Sequence, residues 1–130
     1  MTEHINMDRT SAKLLLIDDD VRNIFALQAV LKAKKFSSVS VTNALEGIDR
    51  LRKDKEIKAV LLDMMMPEMD GYEAMRMIRE DAELSDVPVI AVTAQAMPGD
   101  RERCLNAGAN AYITKPIDVD KLMAVLQEFI

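Results

Sequence analysis

The sequence predicts an α/β fold: a doubly wound, five-stranded parallel sheet with helices on both faces. Three observations predict it. Short apolar runs alternate five times with stretches of helical periodicity, the pattern of parallel strands joined by helical crossovers. The runs are mostly continuous, as suits strands buried on both faces. Aspartates close the first and third runs and a threonine closes the fourth. Sheets of this kind bind ligands at the carboxyl ends of their strands, near a topological switch point.

Residues 1–12, including His4, are polar and aperiodic and read as a flexible N-terminal tail. The domain spans 13–130. Residues 13–17 (KLLLI) form the first strand. Residues 20–35 form an amphipathic helix, with Val21, Ile24, Phe25, Gln28, Leu31 and Lys32 at steps of three and four and Asp20 as its cap. Residues 39–42 are the second strand. Residues 44–53 are the second helix, with Leu45, Ile48, Leu51 and Arg52 on one side. Residues 59–62 are the third strand, closed by Asp63. Pro67, Asp70 and Gly71 mark a turn before a helix over 72–81 that faces Met75 and Ile78 inward. Residues 87–93 are the fourth strand and 98–107 a short helix ended by Gly108. Residues 111–114 are the fifth strand. Asp118 caps a last helix that reaches Phe129.

Composition narrows the function. The chain has 130 residues, 49% of them hydrophobic and 30% charged, which is the make-up of one globular domain. The net charge of −5 disfavours binding to nucleic acid or anionic membrane through bulk charge. The one cysteine allows no intrachain disulfide. No apolar run approaches a membrane span or a signal peptide. The expectation is a soluble, cytoplasmic domain.

The strand ends carry the chemistry. Asp18, Asp19, Asp63, Thr93 and Lys115 project onto one edge of such a sheet. At about 5 Å and an effective dielectric near 20, each carboxylate pair costs on the order of 3 kcal/mol. Lys115 offsets part of that, and a bound cation would offset more. The donors are all oxygens, which favours a hard ion such as Mg²⁺ over Zn²⁺. A carboxylate in this setting can attack phosphorus and form an acyl phosphate. Met64, Met65 and Met66 read as core filling or an adaptable surface. Cys104 reads as structural or incidental, and Arg101, Glu102 and Arg103 as a solvated helix face that could also meet a partner.

IDDD at 17–20, LLDMMMPEMDG at 61–71, AVTA at 91–94 and AYITKP at 111–116 together resemble the receiver domain of two-component response regulators. The wording is most similar to receivers of hybrid histidine kinases. The resemblance implies a flavodoxin-like, CheY-like (βα)5 fold with strand order 2-1-3-4-5. It implies that Asp63 is the phosphoacceptor, and that Asp18, Asp19, Asp63 and the Met65 carbonyl hold Mg²⁺, with Mn²⁺ or Ca²⁺ as substitutes. Thr93 and Lys115 would contact the phosphoryl group, Thr93 and Tyr112 would form the switch, and the Lys115–Pro116 bond would be cis. Met65 and Gln95 would tune the lifetime of the acyl phosphate. The donor would be a histidine kinase or a histidine phosphotransfer protein, and a downstream protein would read the surface of the fourth helix, fifth strand and fifth helix. The resemblance implies a signalling switch rather than an enzyme, acting as a monomer or a phosphorylation-linked dimer. The acidic charge balance adds the expectation of no nucleic-acid or membrane partner.

Three other readings are weaker. An aspartyl-phosphate phosphatase of the haloacid dehalogenase type needs a second Asp two residues after the nucleophile, and Met65 stands there. A flavin-binding domain of the same topology needs a Ser/Thr/Gly-rich phosphate loop, where this chain has Asp18, Asp19 and Asp20. An unphosphorylated docking module would have no use for the acidic residues.

Overall fold

A computed structural model of the protein describes residues 12–94 and 97–130. The tail containing His4 and the candidate residue Gln95 lie outside the described residues. Ala12 is buried, and its carbonyl accepts a hydrogen bond from the Ser37 amide.

The chain runs β1 (Lys13–Ile17), α1 (Val21–Ala33), β2 (Ser37–Val41), α2 (Ala44–Lys53), β3 (Ile57–Asp63), α3 (Gly71–Glu80), β4 (Val89–Thr93), α4 (Asp100–Ala107), β5 (Ala111–Thr114) and α5 (Val119–Phe129). All strands are parallel, in the order β2-β1-β3-β4-β5. The predicted elements are therefore all present, with ends unchanged or shifted by at most two residues. Of the strands, β2 and β3 start two residues early, and β4 starts two residues late because Pro88 has no N–H for a ladder.

Alternate side chains divide the core into two layers. Leu15, Ile17, Val60, Leu62 and Ala91 pack under α2, α3 and α4. Leu14, Leu16, Leu61, Ile90 and Val92 pack under α1 and α5. Strands buried on both faces explain the continuous apolar runs. Four helices begin at a side-chain cap: Asp20, Asn43, Asp70 and Asp118 each accept a hydrogen bond from a backbone amide of the first turn. This satisfies donors that the helix itself cannot. Gly108 ends α4 at φ 120°, a conformation that disfavours any side chain.

Three residues expected on inward stripes face outward. Val21, Phe25 and Leu45 are 64%, 78% and 58% exposed. Each residue along a helix turns about 100° from the last. Phe25 follows buried Ile24, and Leu45 follows buried Ala44, so in each pair only one can face the sheet. The apolar pattern of α1 was wider than the face the sheet covers. Among the described residues, no helix is long and apolar enough to cross a membrane.

Candidate functional site

The strand order places the candidate residues side by side. Ile17 pairs with Leu62, so Asp18 follows β1 beside Asp63 at the end of β3. Asp63 pairs with Val92, which puts Thr93 one step beyond it. Thr93 pairs with Thr114, so Lys115 comes next. The chain reverses its direction of travel across the sheet between β1 and β3, and the two aspartates stand at that switch point.

Asp18, Asp19 and Asp63 each offer a carboxylate oxygen, and these oxygens lie within 4.8 Å of one another. Lys115 Nζ lies 3.3 Å from Asp18 Oδ2 and 3.6 Å from Asp63 Oδ2. One ammonium thus sits against two of the three clustered carboxylates. Asp63 is buried, and its Oδ1 accepts from the Met65 amide at 3.0 Å. Burial pushes the Asp63 carboxyl above its usual range and Asp18 adds to the rise. The Met65 amide and Lys115 oppose the rise without cancelling it. The site therefore favours an added positive charge.

Asp18 is held from its own side. Its Oδ1 accepts from the Asp20 amide at 2.9 Å and its Oδ2 from Asn23 Nδ2 at 3.3 Å. Asn23 was not a candidate in the sequence: an Asn in the first turn of a helix carries no signal of its partner. Thr93 is buried at the end of β4, and its carbonyl accepts from the Lys115 amide at 2.8 Å. The Lys115–Pro116 bond is cis. Tyr112 is half-buried in β5 on the α4 side of the sheet. Burial raises its phenol, and Asp100 and Cys104 add to the rise. Of the methionine run, Met64 and Met66 are core and Met65 is 48% exposed at the rim. Cys104 is buried, as a structural residue should be.

A cleft of about 250 Å³ is lined by Asp18, Asp63 and Lys115 together with the apolar Ile24, Leu27 and Val92. The exposed large hydrophobics among the described residues are Val21, Phe25, Leu45, Met65 and Met97. All belong to the loops and early helical turns that follow β1, β2, β3 and β4. These apolar side chains therefore rim the carboxyl-terminal edge of the sheet, the edge that carries the acidic cluster.

A doubly wound sheet with an acidic, lysine-containing cleft at its switch point defines a class, and comparison with known proteins gives the family. The response regulator receiver domain matches residues 14–127, and the chain belongs to that family, which acts as a switch in two-component signalling. The chain is similar to the polar-differentiation response regulator DivK of Brucella anthropi, 32% identical over 117 residues that cover 90% of this chain and 94% of DivK. It is also similar to the receiver domain of a sensor histidine kinase from Pseudomonas aeruginosa, solved with a magnesium ion coordinated in its active-site cleft. That pair is 34% identical with a TM-score of 0.83, over 92% of this chain and 97% of the other. The chemotaxis protein CheY4 of Vibrio cholerae, at 21% identity, shares the fold with a TM-score of 0.84 over 92% of this chain and 99% of that one.

Proposed function

We propose that this receiver accepts a phosphoryl group on Asp63 from a phosphohistidine and signals through a change in its α4-β5-α5 surface. The observation that carries the reading is the convergence of three strand-end carboxylates within 4.8 Å with Lys115 against two of them. The residues fit a hard divalent cation, since the donors are oxygens and their charge exceeds what Lys115 offsets. Asp18, Asp19, Asp63 and the Met65 carbonyl would hold Mg²⁺, with Mn²⁺ or Ca²⁺ as substitutes. When bound, the ion neutralises charge on the phosphoryl oxygens.

Each residue then has one task. A carboxylate oxygen of Asp63 forms a bond to phosphorus as the P–N bond of the donor breaks, and the imidazole leaves with the bonding pair. Lys115 stabilises negative charge on the transferred group, and the Thr93 hydroxyl donates to one of its oxygens. Asn23 and the Asp20 amide keep Asp18 oriented. Thr93 and Tyr112 shift together, and the α4-β5-α5 face changes for a downstream protein. This is a two-state equilibrium biased by a modification. The setting is cytoplasmic, without nucleic acid or membrane, as a monomer or a phosphorylation-linked dimer. The chain assists its own labelling and its own dephosphorylation only.

The apolar rim supports a protein donor, a histidine kinase or a histidine phosphotransfer protein, because a small phosphodonor has no need of it. Phe25→Ala should slow transfer from a protein donor by about 5- to 10-fold and leave labelling by acetyl phosphate unchanged. Equal slowing with both donors would remove Phe25 from the docking surface. Met65 cannot hold an attacking water by hydrogen bonding, whereas Gln95 could, so the acyl phosphate should be moderately long-lived. Met65→Asn should speed its loss, read as decay of the phosphorylated mass; unchanged decay would refute the role.

The deciding experiment is intact mass under native conditions after incubation with Mg²⁺ and acetyl phosphate. One phosphoryl group should be gained, and Asp63→Asn or EDTA should abolish the gain. Labelling that survives in Asp63→Asn would overturn the assignment.

A further inference from the structure

Among the helices of the described residues, α4 has the weakest local support. It is eight residues long, starts at Gly99 without a side-chain cap, and buries Cys104 alone. Its position therefore depends on tertiary contacts, and two of them converge on one side chain. Tyr72 Oη lies 3.6 Å from Cys104 Sγ, within hydrogen-bond reach for sulfur. The guanidinium of Arg103 lies over the same ring, 4.4 Å from its centroid. Burial, followed by the Cys104 contact, pushes the Tyr72 phenol up to about 12, so its proton stays on at neutral pH. Two consecutive α4 residues thus hold the edge and the face of one aromatic.

The other end of Tyr72 is rooted in the phosphoacceptor loop. Its neighbour Gly71 donates its amide to the Met64 carbonyl at 3.2 Å. A Cβ at position 71 would sit 2.6 Å from Met64 Cα, so the start of α3 lies directly on the residue after Asp63. Met65, next along, donates its amide to the Asp63 carboxylate. A short, closely packed path therefore runs from Asp63 through the loop to Tyr72, and from Tyr72 to α4.

We propose that Tyr72 is a positioning residue that clasps α4 to the phosphoacceptor loop, so that a displacement of either one is carried to the other. It acts beside the Thr93–Tyr112 pair and reaches α4 from α3 instead of from β5. The coupling itself needs no phosphoryl group; its use in signalling rests on the reading of Asp63 given above.

Two variants separate the contacts. Tyr72→Phe removes the hydroxyl and keeps the ring. Arg103→Ala removes the cation from an exposed position and should fold normally. The first measurement is amide hydrogen exchange on the unmodified full chain. Arg103→Ala should speed exchange about 2- to 5-fold in residues 100–107 and also in 64–72, the range expected for a contact of this kind. Faster exchange confined to 100–107 would overturn the clasp. The second is affinity for beryllofluoride with Mg²⁺. A contact that differs between the two states must change that affinity, whereas one lost equally from both leaves it unchanged. Each variant should shift affinity by about 3-fold or more, with a non-additive double variant; values matching the parent would overturn the signalling role. A parent protein that fails to bind beryllofluoride would count against the functional reading, and the exchange result would still decide the clasp.

Discussion

The two edges of the sheet are built on opposite principles. At the amino-terminal edge charges find partners and carbonyls find donors. Arg79, at the end of α3, donates to the carbonyls of Gly108, Ser85 and Val87 and to Asn110 Oδ1, at 2.7–3.0 Å. Asn110 Oδ1 also accepts from the Val89 amide. Lys13 pairs with Asp54 and Arg52 with Asp81, both at 2.7 Å. At the carboxyl-terminal edge three carboxylates cluster with one lysine against two of them, and apolar side chains face water. One edge is arranged to hold the fold. The other holds negative charge that its lysine does not fully offset, the feature on which the proposed phosphoryl acceptance rests.

The contrast can be broken by substitution. The largest effect belongs to the amino-terminal edge. Arg79→Ala leaves several carbonyls without their donor, a loss of about 3 kcal/mol, or roughly 10 °C in Tm for a chain of this size. Phosphoryl uptake per folded molecule should not change. A Tm within about 2 °C of the parent would show that water replaces the guanidinium.

The opposite sign is expected at the carboxyl-terminal edge. Asp63 has a raised carboxyl, so its charged form destabilises the fold at every pH above its unfolded value. Asp63→Asn should therefore raise Tm at pH 7 by a few degrees when EDTA is present. Mg²⁺ should stabilise the parent more than the variant. A lower Tm for Asp63→Asn would mean that Lys115 more than offsets the burial of the carboxylate.

The smallest effect is the acid end of the stability profile. Hydrogen bonds from Lys13 and from Arg52 hold Asp54 and Asp81 below the ordinary carboxylate value of 3.8. A depressed carboxyl stabilises the fold above its unfolded pKa, and that contribution disappears as pH falls through the folded pKa. Stability should thus fall more steeply below about pH 4 in the parent than in Asp54→Asn or Asp81→Asn. Both pairs reach solvent, so each change should be smaller than that at Asp63. Denaturant midpoints between pH 2 and 7 would resolve the slopes, and identical slopes would rule out both pairs.

Much of this edge-to-edge contrast could be read in advance, and unevenly. Asp18, Asp19, Asp63, Thr93 and Lys115 were legible because a residue that closes an apolar run must lie at a strand end. Parallel strands put all such ends on one edge. Arg79 was not legible. Its acceptors lie up to 31 residues away, and an arginine near a helix end usually signals only a favourable dipole contact. Phe25 and Leu45 were misplaced for a related reason. A pattern of apolar residues shows which side chains could face a sheet, and the area the sheet covers decides which of them do.

The sequence by itself determined the number, type and order of the elements, the caps at Asp20 and Asp118, the glycine end of α4, and the set of strand-end residues. These follow from periodicity and backbone preference, which act within a few residues. The tertiary structure decided that three carboxylates come within 4.8 Å with one lysine between two of them, that Tyr72 meets both Cys104 and Arg103, and that Phe25 stays in water. Those outcomes depend on strand register and helix placement, which bring together side chains far apart in the chain and are set by the packing of the whole domain.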